Sequence, residues 1–211
     1  MGIVLELEFI KRNKLLKDGD ILFFRGKGCI ARAIKWAGGG IYSHVAMVDV
    51  NAKLIECIEF REWNGGRTIN LDNYFPEFAG RIDVYRPCPH FEQIEFKKDI
   101  NQIYSAKTFW ISYNSREATQ TLRKLTGLSY GWATIYRLML YAFPFIRFFK
   151  KPSVNDESSI EQIKAGFVCS TAIAWTLRKV YTDPIKNLAD YEISPSELSR
   201  SPLLQYLYTI A

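Results

Sequence analysis

The sequence predicts one soluble globular domain that mixes antiparallel strands with helices, and three observations carry that prediction. Its 211 residues are 48% hydrophobic and 24% charged, the balance of a single domain, or of one domain with an insertion, rather than of a disordered or collagen-like chain. Val- and Ile-rich runs with two-residue alternation recur between turn residues, as strands require. Elsewhere, apolar residues fall at the three-and-four spacing of helices.

The elements follow in chain order. Lys17-Asp18-Gly19-Asp20 is turn chemistry leading into Ile21-Leu22-Phe23-Phe24, a short apolar run that reads as a buried strand. Cys29 to Trp36 reads as a short helix stopped by Gly38-Gly39-Gly40. His44 to Val50 and Lys53 to Phe60 read as an antiparallel hairpin, and Arg81 to Arg86 as a strand stopped by Pro87 and Pro89. From about Phe91 to Leu125 the pattern reads as helical, and His90 as a surface or capping residue at that helix entrance. Trp132 to Lys151 holds seven aromatics and four basic residues without an acid, and Arg137 and Pro144 interrupt it too much for a membrane span. Lys150 to Ser159 is a polar loop or flap. Cys169 to Val180 reads as a helix with Arg178 and Lys179 at its C-terminal end, where positive charge is favoured. Ser194-Pro195-Ser196-Glu197 has the form of a capping box, and Leu204 to Ile210 that of a last strand.

Charge and cysteine usage narrow the function classes. The net charge of +6 favours anionic partners without choosing among them, and the basic residues are scattered, so nucleic-acid binding is not expected. Four separated cysteines and two histidines make no metal-ligand spacing, so neither a metal nor another cofactor is expected. The start, Met-Gly-Ile-Val-Leu-Glu-Leu-Glu-Phe, lacks the basic and clean apolar regions of a secretory signal. The expected location is therefore cytoplasmic, with reduced thiols.

Cys169 stands at the first turn of its helix, where unpaired amides and the positive end of the dipole favour a thiolate. The same amides, its own included, can bind the oxyanion formed when a carbonyl is attacked. Cys29, beside Lys27 at another helix start, is the rival nucleophile. A thiol nucleophile needs an imidazole, and His44, opening its strand after Tyr42-Ser43, is the candidate. A third polar group should orient that imidazole, and the paired strand offers Glu56 and Glu59. An odd hairpin loop puts Glu56 on the face of His44, whereas an even loop with Val50 opposite Lys53 brings Glu59 opposite instead. Each of these residues also has a plain reading: a buried thiol, a strand histidine, a solvent-facing carboxylate.

Taken together, Gly19-Asp20-Ile21-Leu22-Phe23, Tyr42-Ser43-His44-Val45-Ala46-Met47-Val48, Leu54-Ile55-Glu56 and Phe167-Val168-Cys169-Ser170 resemble the permuted papain-like cysteine hydrolases of the NlpC superfamily, in the YiiX-like branch. The resemblance runs from about Lys17 to Leu203 and is loose between Phe91 and Ala165. It implies an α+β fold, circularly permuted and papain-like, with an antiparallel sheet packed on helices and a helical, aromatic-rich insertion at about 91–165 of a single domain, 1–211. It also implies Cys169 as nucleophile, His44 as base and Glu56 as the third residue, since one branch uses Glu at that place; Glu59 is the runner-up. Tyr42, Ser43 and Tyr130 are candidate substrate-binding residues.

The expected chemistry is acyl transfer through an acyl-enzyme, on an amide bond of a short, cell-wall-type peptide, as in relatives that cut wall peptides. The alternative is an acyl-lipid hydrolase or acyltransferase related to the lecithin:retinol acyltransferases, with 132–151 touching a membrane surface. A third reading is a non-catalytic binding module on the same fold.

Overall fold

The computed structural model describes residues 2–50, 54–74, 78, 80–88, 90–96, 105–132, 166–181, 183–185, 188 and 190–211. They build a mixed α+β architecture around a seven-stranded sheet. Its strands are β1 (Val4–Leu5), β2 (Ile21–Arg25), β3 (His44–Val50), β4 (Ile55–Arg61), β5 (Gly65–Asn70), β6 (Arg81–Pro87) and β9 (Leu204–Ile210). Across the sheet they run β1-β9-β6-β2-β3-β4-β5. Every neighbouring pair is antiparallel except β1 against β9.

The apolar run Ile21-Leu22-Phe23-Phe24 lies near the middle of this sheet because both of its faces are covered. Ile21 and Phe23 join one buried cluster, Leu22 and Phe24 the other. The first cluster packs beneath α4 (Ser115–Arg123) and α5 (Cys169–Val180), through Ala118, Leu122, Ala172, Ile173 and Leu177. The second is closed by Ile10 of α1 (Leu7–Arg12) and by Leu71 and Tyr74 of α3 (Leu71–Tyr74). Strand alternation thus sorts one continuous sequence run into two cores.

Most elements read from the sequence stand where expected. Helix α2 (Cys29–Ala37) ends at Gly38, and α6 (Pro195–Leu198) starts with the capping box: Ser194 Oγ accepts from the Glu197 amide at 3.2 Å and Glu197 Oε2 from the Ser194 amide at 2.9 Å. One expectation fails. The stretch read as helix from about Phe91 to Leu125 contains two strands, β7 (His90–Phe96) and β8 (Ser105–Ile111), paired antiparallel as a separate two-stranded sheet. Among the described residues of this stretch only Ser115–Arg123 is helical, started by Asn114, whose side chain accepts from the Glu117 amide. In His-Phe-Glu-Gln-Ile-Glu-Phe and Ser-Ala-Lys-Thr-Phe-Trp-Ile the spacings Phe91–Ile94 and Ala106–Phe109–Trp110 fit helical turns, yet both runs are rich in the aromatic and β-branched residues that strands favour. Runs this short cannot be assigned by periodicity alone. His90 accordingly opens a strand opposite Ile111, not a helix. The insertion at about 91–165 is therefore not uniformly helical; the loop Lys150 to Ser159 and the aromatic, basic stretch 132–151, Trp132 apart, lie outside the described residues. Among the described residues no helix is long and apolar enough to cross a membrane.

A buried carboxylate ties the sheet across its width. Asp83 on β6 is fully buried; it accepts from Arg25 on β2, from Tyr42 Oη at 2.5 Å and from Thr209 Oγ1 on β9 at 2.6 Å. Truncating it leaves two buried hydroxyls and a partly exposed guanidinium without their common acceptor. Asp83→Ala is expected to lower the unfolding free energy by about 3–5 kcal/mol, read by urea denaturation. A loss below about 1 kcal/mol would show that the network relaxes to water.

Candidate active site

The hairpin register decides which acid meets His44. Val50 lies opposite Ile55, Asp49 opposite Glu56 and Ala46 opposite Glu59. Four residues separate Val50 from Ile55, so the loop is even, and the pairing is shifted from the expected Val50–Lys53 match. Even parity puts Glu59 on the same face as His44 and Ala46, while Glu56 shares the opposite face with Asp49.

The preferred third residue is therefore corrected. Glu59 Oε2 sits 2.6 Å from His44 Nε2, and both side chains are buried. Glu56 instead accepts from Arg123 of α4 at 2.7 Å, beside Asp49, which takes the same guanidinium. These groups line an open polar groove of 770 Å³ with Asp18, Arg116, Thr119 and Gln120.

Glu59 is itself held. Arg67 on β5 donates two hydrogen bonds to its Oε1, at 2.9 and 2.7 Å, and Arg61 Nε lies 3.5 Å from Oε2. Arg61 is steadied by the hydroxyl and the ring face of Tyr74. Burial pushes the Glu59 carboxyl up, but the His44 charge and hydrogen bond, the Arg61 charge and the Arg67 hydrogen bond overcome it and bring the pKa down to about 2. These two arginines were not singled out in the sequence; arginines next to and across from a strand acid were the available signal.

His44 opens β3, and its ring packs 5.1 Å from that of Phe24. Cys169 is the other group that acts on the ring electrostatically. Burial alone would lower the His44 pKa, yet the charge and hydrogen bond of Cys169, together with those of Glu59, raise it to about 9. With Nε2 engaged by Glu59, Nδ1 is the nitrogen that remains for the sulfur. Cys169 starts α5, and its N-cap, Val168, has no side-chain acceptor to offer the first-turn amides. The Thr171 hydroxyl accepts from the Val168 amide at 2.9 Å, so the turn before the helix is pinned.

The other candidates fall into two groups. Tyr130 is buried, and the Cys169 charge acts on its phenol, which burial first and that charge second keep protonated well above the usual range. A parallel bridge joins Tyr130 to Phe167, two residues before Cys169. Tyr42 and Ser43, by contrast, spend their hydroxyls inside the fold: Tyr42 on Asp83 and Tyr85, Ser43 on the Gly26 amide and the Phe24 carbonyl. Their hydrogen bonds are structural. Cys29 is exposed and accepts from Arg32 at 3.3 Å.

No family model matches this chain, and no curated protein matches it. Among solved structures, it is similar to the crystal structure of metalloprotein yiiX from Escherichia coli O157:H7 (DUF1105), with 16% identity and a TM-score of 0.46 over 92% of this chain and 96% of that one. Its name describes that protein as a metalloprotein. Among the described residues here, no group of three or more His, Cys, Asp or Glu is placed to hold a metal ion.

The shifted groups make stability depend on pH. His44 rises from 6.5 to about 9 on folding, so its contribution is complete below pH 6.5 and disappears as pH climbs through 9. Glu59 falls from 4.5 to about 2, so its contribution is complete above pH 4.5 and disappears as pH drops toward 2. Unfolding free energies measured in urea should decline between pH 6.5 and 9, and His44→Gln should flatten that decline. An unchanged slope in the variant would assign it to other groups.

Proposed function

We propose that the protein is a cysteine hydrolase that transfers an acyl group to Cys169, with His44 as base and acid and Glu59 as the residue that positions His44. The observation that supports this most is that Arg67 holds the buried Glu59, Glu59 holds the buried His44, and the charge of Cys169, at a helix N-terminus, acts on that imidazole.

In this reading the Cys169 thiolate, its proton on His44, attacks a carbonyl carbon. The oxyanion of the tetrahedral intermediate receives the amide of Cys169 and its first-turn neighbours, while Tyr130 offers a phenolic proton nearby. The imidazolium then gives its proton to the leaving amine or alcohol, and a thioester remains. Water, deprotonated by His44, attacks the thioester, and the thiol and a carboxylic acid are released. The buried, twice-paired Glu59 supplies a fixed negative charge that stabilises the imidazolium in both halves. Nothing in this sequence of steps calls on Glu56.

The substrate class follows from the resemblance, which favours the amide of a short, cell-wall-type peptide. The acyl-lipid alternative rests on the stretch 132–151, which lies mostly outside the described residues.

Iodoacetamide labelling across pH, with each cysteine followed by peptide mass spectrometry, tests the assignment. Cys169 is expected to react at pH 6 at least tenfold faster than an ordinary thiol would, on the order set by its thiolate fraction. His44→Ala is expected to abolish that advantage, Glu59→Gln to reduce it, and Glu56→Gln to leave it unchanged. Faster labelling of Cys29, or an ordinary Cys169 profile in both wild type and His44→Ala, would overturn the reading and leave a binding module.

A further inference from the structure

An aromatic ledge runs from the nucleophile to the surface. Tyr130 is bridged to Phe167, and the Gly131 amide donates to the Phe167 carbonyl at 2.9 Å, which fixes this segment to the residue two before Cys169. The Tyr130 ring meets that of Trp132 edge-on, with centroids 5.3 Å apart at 69°. Trp132 in turn meets Trp63, at 5.1 Å and 54°. Trp63 lies in the β4–β5 turn, two residues beyond the Arg61 that faces Glu59, and is 86% exposed; Trp132 is 44% exposed. Beside them, exposed Leu128 takes the Gly66 amide of β5 on its carbonyl at 2.9 Å, adding an aliphatic side chain to the same turn.

Trp63 adds little to the core, yet its backbone has a φ of 70°, a conformation that suits glycine and is strained for a bulky aromatic residue. Folding alone gives no reason to hold a large exposed ring at this angle. An indole surface kept there beside a reactive thiol is suited to hold an apolar group by its face.

We infer that Trp63, Trp132 and Tyr130 form a substrate subsite next to Cys169, which takes an apolar group attached to the carbonyl under attack. This rests on the cysteine-hydrolase reading above and narrows its substrate to one with an aliphatic chain or apolar side chain at that place. The rings are tilted rather than parallel, so they make an open notch that grips a chain along its length and admits several lengths. Each methylene fully covered there adds about fourfold to the affinity.

Two alkylating probes separate this inference from the catalytic one. Iodoacetamide and N-hexyl iodoacetamide react alike, the sulfur forming a thioether as iodide leaves, and they differ only in the apolar chain. The hexyl probe is expected to label Cys169 of the intact protein about tenfold faster than the parent. In Trp63→Gly and in Trp132→Ala this ratio should fall toward one. Glycine also relaxes the φ of 70°, so the Tm of Trp63→Gly should hold or rise, which keeps misfolding from explaining the lost ratio. Fast labelling of Cys169 by both probes without hexyl preference, or a preference that survives both substitutions, would overturn the subsite and leave the hydrolase intact. Slow labelling of Cys169 by both probes would overturn both.

Discussion

A carboxylate buried inside a sheet is expensive unless cations and hydrogen bonds surround it, and the site is organised around one that is so surrounded. Glu59 has almost no exposure, and the strands on either side of β4 supply its partners: β5 gives Arg67 and β3 gives His44. Arg61 comes from β4 itself, braced by Tyr74 of α3. Removing the carboxylate would leave two guanidiniums near a buried imidazole with nothing to compensate them. The pairing of three strands is thereby coupled to the charge state of one histidine.

The same economy appears away from the site. Asp83 joins β6 to β2, to β9 and to Tyr42, the residue two before His44. Asp20, also buried, takes a bidentate guanidinium from Arg86 and the amide of Lys17. Each buried acid in the sheet region meets an arginine whose stem reaches the surface, so the charge is compensated while part of the guanidinium keeps its water. The consequence for the site is rigidity: the strand that carries His44 is anchored at Tyr42 before the histidine begins.

Cys169 comes from a different part of the chain. Helix α5 packs on the sheet face that carries Val45, Met47, Ile58 and Phe60, and its apolar residues fix its rotation. Val168 and Thr171 fix where it starts. These two devices set the position of Cys169, whose charge acts on His44 from 125 residues away in sequence. The bridge from Tyr130 to Phe167 then attaches the ring ledge to the same point. Cys169, His44 and the ring ledge are thus carried by three separate elements.

By itself the sequence determined the elements whose signals are local: the apolar strand at Ile21, the helix ended by glycine after Ala37, the capping box at Ser194, and the candidacy of Cys169 and His44. It left Glu56 and Glu59 open because three residues on a strand separate opposite faces, and parity depends on a loop whose length no side chain announces. It misread the segment after His90 because the apolar residues of these seven-residue runs fall at helical spacing, and only the pairing of His90–Phe96 with Ser105–Ile111 makes them strands. The arginines that hold Glu59, and the ledge from Tyr130 through Trp132 to Trp63, were illegible for a deeper reason. Each joins residues distant in sequence, and what makes them a site is a distance across the fold, which chain order does not encode.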